Sequence, residues 1–251
     1  MTSLVERGTG LVHWLVDPLL RFNIIDRSLA LGAQAFGAVI PLLIVVEAAQ
    51  PGQESLADDL IQRFKLTGAA AETVRTAFTT PNDESATTAL GVLVLIVSAL
   101  AFTRRLQRLY EESWSLPTRG LRGTGWGIVW LAFLAVYASL HPALDGLLNG
   151  PISTMFSIAG ALLFGLVTPL LLLGRRKGWH ALILQAVLTA AGLTALGVWT
   201  AVYMPHAIGS SAASYGAIGV AFALLTWLWG MGIVLVCAAV YGSPQMQWRR
   251  R

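Results

Sequence analysis

The chain has 251 residues, of which 55% are hydrophobic and 12% are charged, and its mean hydropathy is +0.66. An average soluble domain holds about a quarter charged residues, whereas this chain has no Asp, Glu, Lys or Arg between Gly178 and Trp248. No water-exposed domain hides a charge-free stretch of that length, so the composition excludes a soluble protein and predicts an all-α membrane domain over 1–251.

The N-terminal segment 1–26 is predicted to be an amphipathic helix on the membrane surface. Its leucines Leu4, Leu11, Leu15 and Leu19 recur at spacings of four or seven residues, which places them on one side of a helix. A stripe of this kind can lie in the headgroup layer. The segment carries charges and has no continuous apolar region, so we do not expect it to be a signal peptide.

Six segments are free of charged residues and long enough to be membrane spans, since a span needs about 20 apolar residues. Three of these spans lie in each half of the chain. An amphipathic outer loop at 49–84 follows the first span. In this loop we predict a helix that starts near Ser55 and a second helix from Ala69 to Phe78. They would act as an external lid or as a plug of the bundle. The predicted spans are 28–46, 85–103, 125–140, 154–173, 179–203 and 215–241.

The basic residues indicate the orientation of the spans. The N-terminal segment, the loops after the second and fourth spans, and the C-terminal tail hold 14 of the 17 Lys and Arg residues. These segments all lie on one side of a six-span chain. Cytoplasmic loops are enriched in Lys and Arg, so both termini are predicted to be cytoplasmic in a bacterial plasma membrane.

The first and fourth predicted spans share an octamer. The sequence FGAVIPLL at 36–43 matches FGLVTPLL at 164–171 in six of eight positions. The two spans run in opposite directions, so the match suggests two inverted repeats of three helices, an arrangement that many transporters use to line a substrate path. Chance similarity between apolar helices is the alternative. The predicted path residues are Gln34, Phe36, Gly37, Pro41, Phe164, Gly165, Thr168, Pro169 and Gln185.

The loop at 104–122 is the densest group of basic and aromatic residues. Its arginines continue the second span beyond the membrane, where guanidinium groups can hold a lipid phosphate. Alternatively, they enforce the topology and pair with Glu111 and Glu112. The predicted headgroup contacts are Arg104, Arg105, Arg108, Tyr110 and Trp114.

Three segments resemble the YihY/BrkB family of bacterial inner-membrane proteins. They are RSLAL at 27–31 with PLL at 41–43, RRLQRLYEESW at 104–114, and YGAIG at 215–219 with LTWLW at 225–229. The resemblance implies a six-span fold and covers most of the chain. One departure is Val236-Cys237, where the family tends to have an acidic residue followed by Asn. Members have been described as a virulence factor (BrkB) and as a ribonuclease.

These features predict a transporter or flippase-like protein for a lipid or another amphipathic substrate. The alternative is a non-catalytic scaffold or accessory subunit of an envelope complex, which an apolar bundle also suits. A ribonuclease is a distant third possibility, because metal-dependent RNA hydrolysis needs clustered carboxylates or histidines that the sequence lacks. We therefore expect no enzymatic activity, cofactor, metal or nucleic acid. Membrane lipids are the expected partners, and the sequence carries no signal for an oligomeric state.

Overall fold

The computed structural model of the chain describes residues 22–38, 58, 61–62, 66–78, 85–147 and 151–243. Within these ranges the regular elements are helices, which confirms the all-α prediction for this part of the chain. Residues 1–21 of the predicted surface segment, and Pro41, lie outside the described residues. The helices are α1 (Ile24–Gly37), α2 (Ala69–Phe78), α3 (Ser85–Ser113), a 3₁₀ turn (Gly120–Gly123), α4 (Thr124–Leu147), α5 (Pro151–Leu172) and α6 (Trp179–Gly242).

Three of these helices are long and apolar enough to cross a membrane. They are Ala89–Ser113 within α3, Ile152–Leu172 within α5, and α6, while α4 has a shorter apolar stretch at Thr124–Ala138. Only 17%, 22% and 28% of the residues in their most apolar windows are buried inside the protein. Many of the other apolar side chains are exposed, among them Leu93, Leu163 and Val198, so these helices need apolar surroundings, which a lipid bilayer supplies.

α6 has 64 residues and contains one break, at Gly216, where φ is 58° and ψ is −139°. Residues on either side of the break meet in pairs. A Cβ on Gly192 would lie 2.6 Å from Val234 Cγ1, and a Cβ on Gly242 would lie 2.5 Å from Gln185 Cβ. Residue numbers therefore fall along one arm as they rise along the other, and the arms 179–215 and 217–242 form an antiparallel helical hairpin.

The hairpin corrects the predicted connector between 203 and 215, because 204–215 is helical. Met204, Ile208 and Ala212 lie four residues apart and form an apolar stripe on the first arm. This stripe packs against Val220 and Leu224 of the second arm. Burial of both stripes favours continuing the helix up to Gly216.

Replacing Gly216 with Ala is expected to destabilise the hairpin. A positive φ with this ψ is almost restricted to glycine, and forcing another residue into such a region costs about 1–3 kcal/mol. The test is the unfolding temperature of the purified protein in lipid nanodiscs. Gly209→Ala is the matched control, since nothing lies within 4 Å of a Cβ there and Ala favours helix over Gly. Equal unfolding temperatures for the two variants would contradict the assignment of the turn.

The predicted outer-loop helix from Ala69 to Phe78 is confirmed as α2, with the same bounds. It packs on the bend of the α6 hairpin. Val74, 1% exposed, and Leu66 belong to one apolar cluster with Met204 and Val220. A larger cluster at the other end of the bundle joins α1, α3, α4, α5 and both arms of α6. We call that end the basic end, since it carries Arg27, Arg105, Arg108, Arg119 and Arg176.

α1 packs against the second arm of α6 with almost no space between the two backbones. A Cβ on Gly32 would lie 2.8 Å from the Trp229 backbone nitrogen, and one on Gly232 would lie 2.5 Å from the Ser28 carbonyl oxygen. The Trp229 indole N–H also donates to Ser28 Oγ at 2.9 Å. Small residues and a buried polar contact of this kind are typical of helix pairs in membranes.

Candidate substrate site

A buried carboxylate organises the basic end. Glu111, near the C-terminus of α3, is 1% exposed. Its Oε1 atom accepts a hydrogen bond from Arg176 Nη2 in an ion pair whose arginine side chain is 20% exposed. The same oxygen accepts from the Arg119 backbone N–H at 3.3 Å and from Gln107 Nε2 at 3.4 Å. Three parts of the chain therefore meet at one carboxylate oxygen.

The Arg176 guanidinium also binds the backbone on both sides of this junction. Its Nη1 donates to the Pro117 carbonyl at 2.8 Å, and its Nε donates to the Leu173 carbonyl at 3.1 Å. Arg119 Nη2 donates in turn to the Gly174 carbonyl at 3.4 Å. Because these groups join the end of α3 to the turn between α5 and α6, we call Glu111, Arg119 and Arg176 the ionic junction.

A buried polar contact lies near the junction. The Trp114 indole N–H donates to Gln185 Oε1 at 2.9 Å. Gln185 is 0% exposed, and its side chain also hydrogen-bonds with that of Tyr110. A buried amide without partners would cost free energy, and these two contacts hold Gln185 as a paired polar group of the interior.

Most of the predicted path residues on α5 are packed between helices. Gly165 is buried, and a Cβ there would lie 2.8 Å from the Ala186 carbonyl oxygen. Thr168 is 0% exposed, and its Oγ1 accepts a hydrogen bond from the Trp130 indole at 3.2 Å. Pro169 is buried, and the Phe164 ring lies 5.7 Å from the Tyr137 ring. The structure thus brings these residues together as helix contacts with α4 and α6.

The predicted path residues on α1 lie apart from those on α5. Gln34 is half-buried, and its Oε1 has no hydrogen-bond partner among the described residues. Phe36 packs on the cluster at the hairpin bend, whereas Gly37 is exposed with open space at its Cβ position. The described start of the first octamer, residues 36–38, therefore has other surroundings than its match in α5, and Pro41 lies outside the described residues. The substrate path stays a prediction.

A cavity of about 350 Å³ opens at the basic end between α1 and α3. Arg105 and Arg108 line it from α3, and both are exposed. Arg27 of α1 lines it too and forms an ion pair with Glu112 at 2.5 Å between Nη1 and Oε2. The remaining lining residues are Asn23, Asp26, Ala30, Leu31 and Leu109. We call this the rim cavity.

The structure divides the predicted headgroup residues into two groups. Arg105 and Arg108 line the rim cavity, and Arg104 lines a second cavity of about 460 Å³, where its Nη2 also donates to Thr124 Oγ1 at 3.0 Å. Tyr110 and Trp114 are 1% and 5% exposed and line neither cavity. They belong to the interior near Gln185, because the helical turn of α3 points them away from the arginines.

Sequence reasoning missed the two acid–base pairings of the basic end. It named Glu111 and Glu112 as partners of arginines in their own loop, but their ion-pair partners are Arg176 and Arg27. The sequence shows only that two adjacent acidic residues, Glu111 and Glu112, follow the arginine-rich part of α3. The partners are 65 and 85 residues away in the chain, so no local pattern identifies them.

Groups of three or more His, Cys, Asp or Glu residues that could hold a metal ion do not occur in the described part of the chain. Comparison with known proteins found no relative of this chain. No family model matches the chain, and neither a curated protein nor a solved structure matches it.

Proposed function

We propose that this chain is a six-span protein of the bacterial plasma membrane that moves a lipid or another amphipathic substrate between the leaflets. The ionic junction is the observation that carries the proposal. Glu111 follows the second predicted span and Arg176 follows the fourth. The buried ion pair therefore joins the two predicted three-helix halves at one end of the bundle.

A buried ion pair is a poor device for stability alone. The cost of removing both charges from water offsets much of their attraction, and apolar side chains of the same volume often stabilise more. An ion pair is better suited to a contact that must form and break as a unit. A closed and an open arrangement of two halves is what alternating access requires. Gln185 offers a fully buried polar side chain in the interior for a substrate.

The membrane topology in this proposal rests on lengths and charges. Each arm of the α6 hairpin is longer than the about 20 residues of a span, and α3 and α5 supply two further long apolar helices. With α1 and α4 the count reaches the six predicted spans. The arginines of the basic end belong to segments that the positive-inside rule assigns to the cytoplasm. The resemblance to the YihY/BrkB family is part of the same proposal.

The test is lipid transfer by the purified protein in vesicles that contain a fluorescent phospholipid. We expect transfer above that in protein-free vesicles. Glu111→Gln keeps an oxygen acceptor but removes the charge, so it weakens the junction and should change the transfer rate several-fold. Glu72→Gln on α2 is the control, because it makes the same change at an exposed position outside the ionic junction. It should leave the rate unchanged. Wild-type transfer no faster than in protein-free vesicles would reject transport.

A scaffold for a membrane complex is the second candidate. The close helix contacts favour it, since Gly32 lies against Trp229 and Gly165 against Ala186 without room for a substrate between them. On this alternative, the protein is recovered from native membranes at a constant ratio with one partner, and vesicles with the purified chain show no lipid transfer. Recovery of the chain alone, combined with transfer activity, would contradict the scaffold role.

A further inference from the structure

The rim cavity has the properties of a binding site for an anion attached to an apolar group. Arg105 and Arg108 reach it from adjacent turns of α3, three residues apart on one helix face. Neither forms an ion pair with a carboxylate within the part of the chain that the structure describes. Two guanidinium groups that no carboxylate pairs directly can bind a phosphate through several charge-assisted hydrogen bonds.

The rest of the cavity wall is apolar. Leu31 and Leu109 are 2% and 3% exposed, and Ala30 completes this part of the lining. On the outer side of α1, Ile25 and Leu29 are exposed, as expected for side chains that face lipid. The cavity therefore combines guanidinium groups with apolar walls next to an apolar outer surface. Free inorganic phosphate would use only the guanidinium groups and not the apolar walls.

Two carboxylates limit the positive charge of the cavity. Glu112 binds Arg27, and Asp26 lines the same space. Three arginines against two acids leave one net positive charge, which matches the single negative charge of a phosphodiester. The half-exposed ion pair, with 36% and 45% of its two side chains accessible, is also weak enough to open, because exposed pairs contribute only about 0–1 kcal/mol.

We propose that the rim cavity binds the phosphodiester headgroup of an anionic phospholipid through Arg105 and Arg108, and that Glu112 restricts the charge of the ligand by holding Arg27. The site rests on the proposed function, where it is the place at which a lipid substrate enters from the cytoplasmic leaflet. It requires no transport for its own test, because binding is measured separately from transfer.

The experiment uses the full chain in nanodiscs of phosphatidylcholine with a minor fraction of phosphatidylglycerol. Mass spectrometry counts the phosphatidylglycerol that stays bound after extraction into detergent. We expect specific retention by the wild type and a loss of about tenfold in Arg105→Ala/Arg108→Ala, which follows from removing charge-assisted hydrogen bonds. Both side chains are exposed, so the variant keeps its fold. Arg75→Ala on α2 removes one charge at the other end of the bundle and should retain the lipid.

Glu112→Gln separates a designed site from general attraction of lipids to positive charge. The change frees Arg27, so retention of phosphatidylglycerol should rise several-fold, and phosphatidic acid with its larger charge should gain more than phosphatidylglycerol. Equal retention by the wild type and the double Arg variant would overturn the site. Complete displacement of the lipid by millimolar inorganic phosphate would overturn the lipid assignment. Normal lipid retention without any transfer would support the site and reject the transport function.

Discussion

Replacing Arg176 with Met should lower the free energy of unfolding by about 3–5 kcal/mol, the largest effect expected of any single change at the basic end. The variant leaves the Glu111 carboxylate, whose side chain is 2% exposed, without its counter-charge. A buried charge without a partner loses its hydration and gains nothing in return. Denaturation of the protein in mixed micelles, followed by tryptophan fluorescence, measures the change.

Arg75→Met is the matched control for this variant. Arg75 also pairs with a carboxylate, Asp58, at 3.1 Å, but its side chain is 53% exposed. An exposed pair contributes about 0–1 kcal/mol, so the control should unfold much like the wild type. Glu111→Gln in the Arg176→Met background should recover part of the loss, because no charge then remains buried. Equal destabilisation by Arg176→Met and Arg75→Met would show that the junction is not buried in the folded protein.

The second large effect is expected from Gly232→Ala, in the contact between α1 and the second arm of α6. The new Cβ would lie 2.5 Å from the Ser28 carbonyl oxygen, and that atom belongs to the backbone. α1 must therefore move outward, at a cost of about 1–3 kcal/mol for overpacking. The shift also weakens the Trp229 to Ser28 hydrogen bond, which adds about 1 kcal/mol.

Gly197→Ala tests whether this loss comes from the helix contact or from glycine substitution in general. Both glycines lie in α6, but no atom lies within 4 Å of a Cβ at Gly197. Ala is the better helix former by about 1 kcal/mol, so the control should match or exceed the stability of the wild type. The same denaturation assay applies to both variants. A Gly232→Ala protein as stable as Gly197→Ala would place α1 farther from α6 than the structure does.

The proposed lipid site and the ionic junction use neighbouring residues of α3. Glu111 faces the interior and binds Arg176, while Glu112 faces the rim cavity and binds Arg27. Adjacent residues on a helix point about 100° apart, so one turn of α3 serves both sites. A lipid that competes for Arg27 therefore acts next to the contact that joins the two proposed halves.

The composition and charge pattern were sufficient for the class of protein and for most helices. The charge-free stretch after Gly178 belongs in apolar surroundings, where no water is available to the backbone N–H and C=O groups. A helix satisfies these groups within the segment itself, so helices are expected there. α2 was also predicted from the sequence with the right bounds. The continuation of the second predicted span as a helix through Arg104, Arg105 and Arg108 was also predicted, and α3 runs on to Ser113 without a glycine or proline after Arg104.

The tertiary structure alone decided where the long apolar segment turns and which polar groups meet. Gly209 and Gly216 look alike in the sequence, and only packing of the two arms makes Gly216 the turn, with its positive φ. Likewise, a run of arginines indicates a membrane face, but their individual partners come from segments far away in the chain. Local periodicity reports the face of a helix, whereas ion pairs such as Glu111 with Arg176 depend on how distant helices pack against each other.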